Sequence, residues 1–227
     1  MFHFKHIVPL LVVSALASAQ AQGFSGWQAT AGVDFASNRL KGGEYTNLST
    51  GADAGYAASD GKHSSTGLKL GLGYGFDVGS FLTTVGVDYS NLNNHINNAV
   101  ITGTPPQTMG PNGIHIKDRV DFYVAPGYKI NPESVAYVKL GYSQVSKDGL
   151  VDTSTGSSIG SGPKSSGMSY GIGFKQKFGP QSPYFYAVDY SFGGLGKGSI
   201  NDPVTTANGY TSKLNFSSLS VSMGKTF

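Results

Sequence analysis

Few residues of this sequence have the types and spacing that catalysis requires. Three histidines follow the N-terminal segment: His63, His95 and His115. His63 lies close to Asp60 and Ser65 in the sequence, and sets of this kind can serve acid–base or nucleophilic hydrolysis. His115 lies close to Asp118. Such two-residue matches are common by chance, so we expect solvated loop histidines and no catalytic residue.

Charged side chains in a repeated pattern form the second group with chemical potential. A valine-aspartate-aromatic tripeptide occurs four times, at 33–35, 87–89, 120–122 and 188–190. Its acids are Asp34, Asp88, Asp121 and Asp189, and four bases stand in a matching alternate phase: Lys69, Arg119, Lys139 and Lys175. Because buried charges are tolerated when they are paired, four acids and four bases predict a neutral network in the interior of the fold.

Composition and charge exclude several classes of function. The formal net charge is only +3 and the bases are not clustered, so we expect no nucleic-acid partner. Charged residues make up 13% of the chain, against roughly 25% in soluble domains, which indicates that much of the surface does not face water. Cysteine is absent and no cluster has metal-ligand spacing, so we expect no metal and no cofactor.

The N-terminus has the pattern of a secretion signal. Lys5 belongs to a short basic start, and the apolar run Ile7–Ala17 follows it. Ala19-Gln20-Ala21 has the small-x-small pattern of a cleavage site, with Ala17-Ser18-Ala19 as a second site two residues earlier. The run is shorter than the roughly 20 residues of a membrane-spanning helix. We therefore expect a signal peptide over 1–21 and one domain over 22–227.

Beyond residue 22 the hydrophobic pattern has a period of two. In 68–77, leucines and aromatic residues alternate with lysine, glycine and aspartate. Eight segments behave in this way: 26–37, 65–77, 81–90, 117–129, 135–144, 166–178, 184–192 and 211–227. No apolar stretch after the signal could form a spanning helix, and lipid offers no partner to unpaired backbone groups. The pattern predicts an all-β, eight-stranded antiparallel up-and-down transmembrane β-barrel.

The connections between these segments alternate in length. Three are predicted to be tight turns, at 77–80, 130–134 and 179–183. Four are long and polar, at 38–64, 91–116, 145–165 and 193–210. The long loops either bind an extracellular partner or are merely solvated, and their chemistry does not separate the two. Within the last segment, Leu214 and Phe216 are out of phase with Leu219 and Val221, which predicts a bulge near Ser217-Ser218.

A soluble barrel of the lipocalin type is the competing fold. It would place its apolar face around a ligand and present a charged face to water. Here the non-apolar face consists of glycine, serine and threonine with few charges, so we expect the aromatic face to contact lipid and the eight charged residues to line the lumen. Aromatic residues near strand ends are then predicted to lie at the membrane interfaces: Phe76, Phe81, Tyr89, Tyr128, Phe178 and Tyr184.

With its export signal, eight-segment meander, aromatic-glycine strands and terminal Phe227, the sequence resembles the small bacterial outer-membrane β-barrel superfamily. This superfamily includes opacity-type surface proteins and the membrane domain of outer membrane protein A. The resemblance implies a Gram-negative outer membrane, contact with its lipid and lipopolysaccharide, and insertion by the barrel-assembly machinery. It also implies that Val221, Met223 and Phe227 form the signal that this machinery reads, although Lys225 replaces a usual aromatic residue.

These observations predict a monomeric structural or surface-interaction protein whose lumen is filled by the charge network. A small ion-conducting pore, in which rearranged ion pairs gate a narrow path, is the second hypothesis. An outer-membrane hydrolase or acyltransferase is the third, and it depends on the weak histidine pattern.

Overall fold

The computed structural model describes residues 23–47, 53–58, 61–99, 101–102, 112–152, 158–159, 164–201 and 208–227. The predicted signal peptide over 1–21 lies outside these residues. Within the described ranges, no helix has the length and apolar character needed to cross a bilayer. The regular structure of these ranges consists of β-strands.

Eight of the described strands are long: β1 (Gly26–Asn47), β3 (Gly61–Val78), β4 (Phe81–Ala99), β6 (Asn112–Asn131), β7 (Ser134–Asp152), β9 (Ser165–Lys177), β10 (Tyr184–Asn201) and β11 (Asn208–Thr226). Three further strands are short: β2 (Asp53–Ala58), β5 (Ile101–Thr102) and β8 (Ser158–Ile159). The short strands β2 and β8 pair with β1 and β7, and β5 pairs with β2.

The long strands form a closed sheet. Each one pairs antiparallel with its neighbour in chain order, and β1 also pairs with β11, from Gln28 opposite Thr226 to Asn47 opposite Asn208. This last ladder leaves no open edge among the eight long strands, which is the condition for a sheet to lie in lipid. The predicted eight-stranded antiparallel barrel is confirmed.

The two faces of the wall differ in chemistry. Large apolar side chains face outward: in β3, Leu68 is 70% exposed and Leu70 and Leu72 are 56% and 46% exposed. The intervening Lys69 is buried in the interior. A water-soluble barrel has the opposite distribution, so this wall suits hydrocarbon outside and polar side chains within.

The strands extend well beyond the predicted segments. β1 continues to Asn47 and β3 begins at Gly61, inside the predicted loop over 38–64. The same correction applies to the loops at 91–116, 145–165 and 193–210. An alternating apolar pattern arises only where one face meets lipid, whereas the backbone ladder continues between polar residues without it. The pattern therefore marks the apolar belt and not the strand ends.

The predicted bulge near Ser217-Ser218 is wrong. β11 keeps an unbroken register with β1 there, with Leu219 opposite Phe35 and Phe216 opposite Asn38. The change of phase has another cause, because Leu214 and Phe216 are buried and point inward. In the two ladders that β11 forms, the register shifts lie further along, between Lys41 and Glu44 of β1 and between Leu195 and Gly198 of β10.

The three predicted tight turns join the strands at one end of the barrel. Gly79 has a φ of 60° in the two-residue connection between β3 and β4, a left-handed conformation that favours glycine. The backbone N–H of Lys129 donates to the carbonyl of Ser80 at 2.9 Å, and its Nζ donates to the Gly79 carbonyl at 2.8 Å. We call this the turn end, and the opposite one the loop end.

The closing seam can be tested at Gly32. A Cβ atom there would lie 2.2 Å from the Val221 carbonyl oxygen and 2.5 Å from the Ser222 Cα, both backbone atoms of β11. We expect Gly32→Val to lower the free energy of unfolding by at least about 1–3 kcal/mol, the usual cost of overpacking. Heat-modifiable gel migration after refolding would show a reduced folded band. Ala31→Val, on the exposed outer face, is the control, and equal folded yields for both variants would contradict the seam.

Candidate functional site

The barrel lumen contains all eight predicted charged residues. Each is buried, with between 0% and 9% of its surface exposed. The acids are Asp34 on β1, Asp88 on β4, Asp121 on β6 and Asp189 on β10, and the bases are Lys69 on β3, Arg119 on β6, Lys139 on β7 and Lys175 on β9. Seven strands therefore contribute a charge. β11 contributes serine hydroxyl groups instead.

One group of ions is centred on Asp88. Its Oδ2 lies 3.1 Å from the Nζ of Lys69 and also forms an ion pair with Lys139. The Lys69 Nζ reaches Asp189 Oδ2 at 3.3 Å and Ser220 Oγ at 3.0 Å. Tyr137 donates a hydrogen bond from its hydroxyl to the other oxygen of Asp189. Two acids and two bases thus neutralise one another across the barrel, which buried charge requires.

A second group is centred on Arg119, nearer the loop end. Its Nη2 lies 2.8 Å from Asp34 Oδ2 and its Nε lies 2.9 Å from Asp121 Oδ2. The hydroxyl of Ser218 donates to Asp34, and that of Ser143 donates to Asp121. The planar guanidinium can donate in two directions at once, so one arginine holds two carboxylates in place.

Lys175 differs from the prediction that every base pairs with an acid. In the described part of the barrel no ion pair joins it to a carboxylate. Its Nζ donates to Gln28 Oε1 and Thr84 Oγ1, both at 3.0 Å. The rings of Phe24, Tyr137 and Phe185 lie 5.3, 5.5 and 6.0 Å from the same nitrogen. Neutral oxygens and aromatic faces therefore stabilise this ammonium in place of an ion pair.

Apolar side chains fill the lumen on both sides of the charges. At the turn end the buried group consists of Phe24, Leu82, Val135, Phe185 and Ala187. Toward the loop end the buried apolar residues are Leu92, Ile116, Val145, Leu195, Leu214 and Phe216. The Phe216 ring lies 4.7 Å from the Arg119 guanidinium carbon, so this layer directly contacts the ions. A cavity of about 40 Å³ remains among the charged residues, with room for only one or two waters.

Two inward tyrosines and one buried base, Lys177, were missed by the sequence reasoning. Tyr123 lies under Lys139, whose Nζ is 3.9 Å from the ring centroid, and Tyr137 contacts Asp189. Glycines make room for both: a Cβ at Gly173 would lie 2.4 Å from the Tyr137 ring. The available signal was phase, because each tyrosine lies two residues from an inward charge on its own strand. The side chains of the apolar layers also lie in the inward phase of their strands, but the prediction assigned that phase to charged residues only.

The candidate catalytic histidines do not lie in loops. His63 is exposed on β3, and the backbones of His95 and His115 pair with each other between β4 and β6. Asp118 accepts a hydrogen bond from the Tyr89 hydroxyl at 2.7 Å. Asp60, the predicted partner of His63, lies outside the described residues. Where side chains are described, no group of three or more histidine and carboxylate residues is arranged to hold a metal.

The predicted interface aromatics are all exposed on the outer wall: Phe76, Phe81, Tyr128, Phe178 and Tyr184 near the turn end, and Tyr89 toward the loop end. Val221 and Met223 also face outward. The Nζ of Lys225 lies 4.6 Å from the ring centroid of Phe227 and 5.9 Å from that of Tyr184, so aromatic faces surround this lysine. The role of the last strand as an assembly signal stays a prediction.

A closed antiparallel meander with an apolar exterior and a charged interior defines a transmembrane β-barrel of the outer-membrane kind. No protein-family model and no curated protein sequence matches the chain. Several solved structures match it.

The chain resembles outer membrane protein OprG from Pseudomonas aeruginosa, with 16% identity, a TM-score of 0.60, and coverage of 91% of this chain and 98% of that one. It is also similar to Neisserial surface protein A, at 14% identity, 89% and 98% coverage and a TM-score of 0.48. A third similarity is to Ail, the attachment invasion locus protein of Yersinia pestis, at 12% identity, 88% and 99% coverage and a TM-score of 0.43. The OprG match independently supports the fold: a small eight-stranded outer-membrane barrel.

The charge network can be tested by removing one base at a time. Arg119→Met leaves Asp34 and Asp121 without their base, and we expect it to lower the free energy of unfolding by about 3–5 kcal/mol. Lys175→Met breaks no ion pair among the described residues, so we expect a loss of about 1 kcal/mol or less. Urea unfolding in lipid vesicles, followed by fluorescence of the single tryptophan, Trp27, measures both changes. Equal losses would show that the ion pairs are not what distinguishes the two sites.

Proposed function

We propose that this protein is a closed, non-conducting surface protein of a Gram-negative outer membrane, and that its strand extensions at the loop end form an extracellular interaction surface. The barrel acts as the anchor and holds that surface in a fixed orientation. We propose that it functions as a monomer and has no catalytic role.

The outer wall supports the membrane location. Exposed apolar side chains cover its middle, and aromatic residues gather where the strands leave this belt. Such girdles mark membrane interfaces in barrels. We place the turn end in the periplasm, beside phospholipid, and the loop end in the lipopolysaccharide leaflet. Insertion by the barrel-assembly machinery through Val221, Met223 and Phe227 is part of the same proposal.

The filled lumen supports the proposed absence of conduction. An ion crossing this barrel would have to pass two apolar layers, where it loses its hydration at a cost of several kcal/mol or more. Between the layers it would meet charges that already engage one another, beside a cavity of about 40 Å³. A narrow pore, the second hypothesis, would need both layers to move aside.

The loop end supports the display role. β1 and β11 remain paired as far as Asn47 and Asn208, and the short strands β2, β5 and β8 add to the sheet there. A hydrogen-bonded ladder that continues past the apolar belt holds its residues in fixed relative positions. Binding residues commonly lie on segments that a rigid scaffold positions in this way. The proposed ligand is an extracellular partner of this surface.

An enzymatic role has weaker support. His63 is an exposed strand residue, and Asp118, the carboxylate near His115 in the sequence, accepts a hydrogen bond from Tyr89. Catalysis needs a nucleophile or base held near its partner in a protected site.

Planar-bilayer recording tests the proposal directly. We expect no unitary currents from the refolded wild-type protein at neutral pH. A triple variant, Phe185→Ala with Leu214→Ala and Phe216→Ala, thins both apolar layers and should give small discrete currents, because water can then reach the charged layer from both sides. The variant also serves as the control for insertion. Reproducible wild-type channels that Asp88→Asn alters would favour the pore instead.

A further inference from the structure

The outer wall has a polar groove near the loop end. A groove of about 330 Å³ crosses the adjacent strands β3, β1 and β11. Hydroxyl side chains form its floor: Ser37, Ser64, Thr66 and Ser217. Its membrane-facing side is apolar and aromatic: Phe35, Tyr190 and Leu219. No carboxylate is among the residues that line it. The groove therefore joins a hydroxyl-rich surface to the lipid-facing belt.

The register of the three strands arranges these side chains in rows. Thr66, Phe35 and Leu219 are opposite one another at the membrane side, and Ser64, Ser37 and Ser217 form the next outward-facing row. Lys62, Arg39 and Asn215 form the third row. Lys213 follows Asn215 on the same face of β11. Neighbouring strands are about 4.8 Å apart and successive outward rows about 6.7 Å apart, so the patch has the size of one lipid headgroup.

From the membrane outward, the side chains of these rows match the successive parts of a phosphorylated lipid. Apolar side chains lie where acyl chains end, hydroxyl groups follow, and three exposed bases, Lys62, Arg39 and Lys213, stand above them. Bases next to a membrane surface attract anionic lipid, and long basic side chains reach along the wall to the phosphate level. Charge complementarity therefore favours an anionic headgroup with hydrogen-bonding groups between its phosphates and its chains.

A larger groove adjoins this one on the same wall, shares Tyr190 and Leu219 with it, and provides a contrast. It has a volume of about 690 Å³ and is lined by apolar and aromatic side chains and glycine, among them Pro126, Ala136 and Ile172. No serine or threonine is among its lining residues. Acyl chains alone fit such a surface, whereas the smaller groove also has partners for a polar headgroup.

We propose that the β3–β1–β11 groove binds the phosphorylated glucosamine headgroup of lipopolysaccharide. Lys62, Arg39 and Lys213 engage the phosphates, and the hydroxyls of Ser37 and Ser217 hydrogen-bond the sugar. This site rests on the proposed function, because only the proposed orientation places the loop end in the leaflet that contains this lipid. Bound lipid would cover the seam where β1 and β11 close the barrel.

Native mass spectrometry of the refolded protein in detergent tests the site, with bisphosphorylated lipid A as the probe. We expect one tightly bound lipid A on the wild type, and Lys62→Gln/Lys213→Gln should weaken binding by roughly 10- to 30-fold, since each base near an anionic lipid contributes appreciably. Ser37→Val/Ser217→Val removes hydroxyls without changing charge and should weaken binding as well. Lys117→Gln/Lys164→Gln removes the same charge from exposed positions outside the groove and should leave the affinity unchanged.

Further binding measurements distinguish a lipid A site from general surface charge and from phospholipid binding. Dephosphorylated lipid A should bind weakly to the wild type and to the groove variant alike. Equal losses in the groove and control variants would overturn the site in favour of general surface charge. Phosphatidylglycerol that binds as tightly, with the same dependence on Lys62 and Lys213, would overturn the glycolipid assignment. A folded, non-conducting barrel that binds no lipid A would reject this site alone, whereas wild-type channels would reject the proposed function and leave the lipid result standing.

Discussion

The structure depends on the requirement that every backbone N–H and C=O in lipid finds a partner within the protein. A sheet meets this requirement only when its first and last strands pair. The ladder from Gln28 and Thr226 to Asn47 and Asn208 does so, and it determines which side chains face lipid and which face the lumen. The apolar exterior and the buried charges follow from this closure.

Closure produces an interior with little space, and the lumen shows how the chain uses it. Glycines such as Gly173 allow tyrosine rings to lie over the neighbouring strand, and serines of β11 hydrogen-bond the acids without adding bulk. The charges are divided between one group around Asp88 and another around Arg119, with Lys175 among aromatic rings. Because ion pairs in such a place contribute little net stability, we interpret the network mainly as one that selects a single arrangement of the strands.

The apolar layers determine how far water can reach the charges in the lumen. Charges alone would leave a polar path that water could enter, but side chains such as Phe185 and Leu214 separate that layer from both ends. Side chains therefore fill the described interior, and the outer wall is the surface that contacts the surroundings. At the groove beside the β1–β11 seam, hydroxyl groups and bases continue the lipid-facing surface outward.

The sequence alone determined the fold and eight of the inward charges, though not Lys177, because a period of two with one lipid-facing side is a local property that each strand carries by itself. Leu70 and Lys69 had to face opposite sides whichever strand lay beside them. Strand length, the inward position of Leu214 and Phe216, and the choice of partners were decided by the tertiary structure. Outside lipid, polar residues form backbone ladders without an alternating apolar pattern, so the sequence does not show where these strands end. Whether Lys175 meets a carboxylate or a set of rings depends on which strands face each other across the lumen, and only the closed barrel sets that distance.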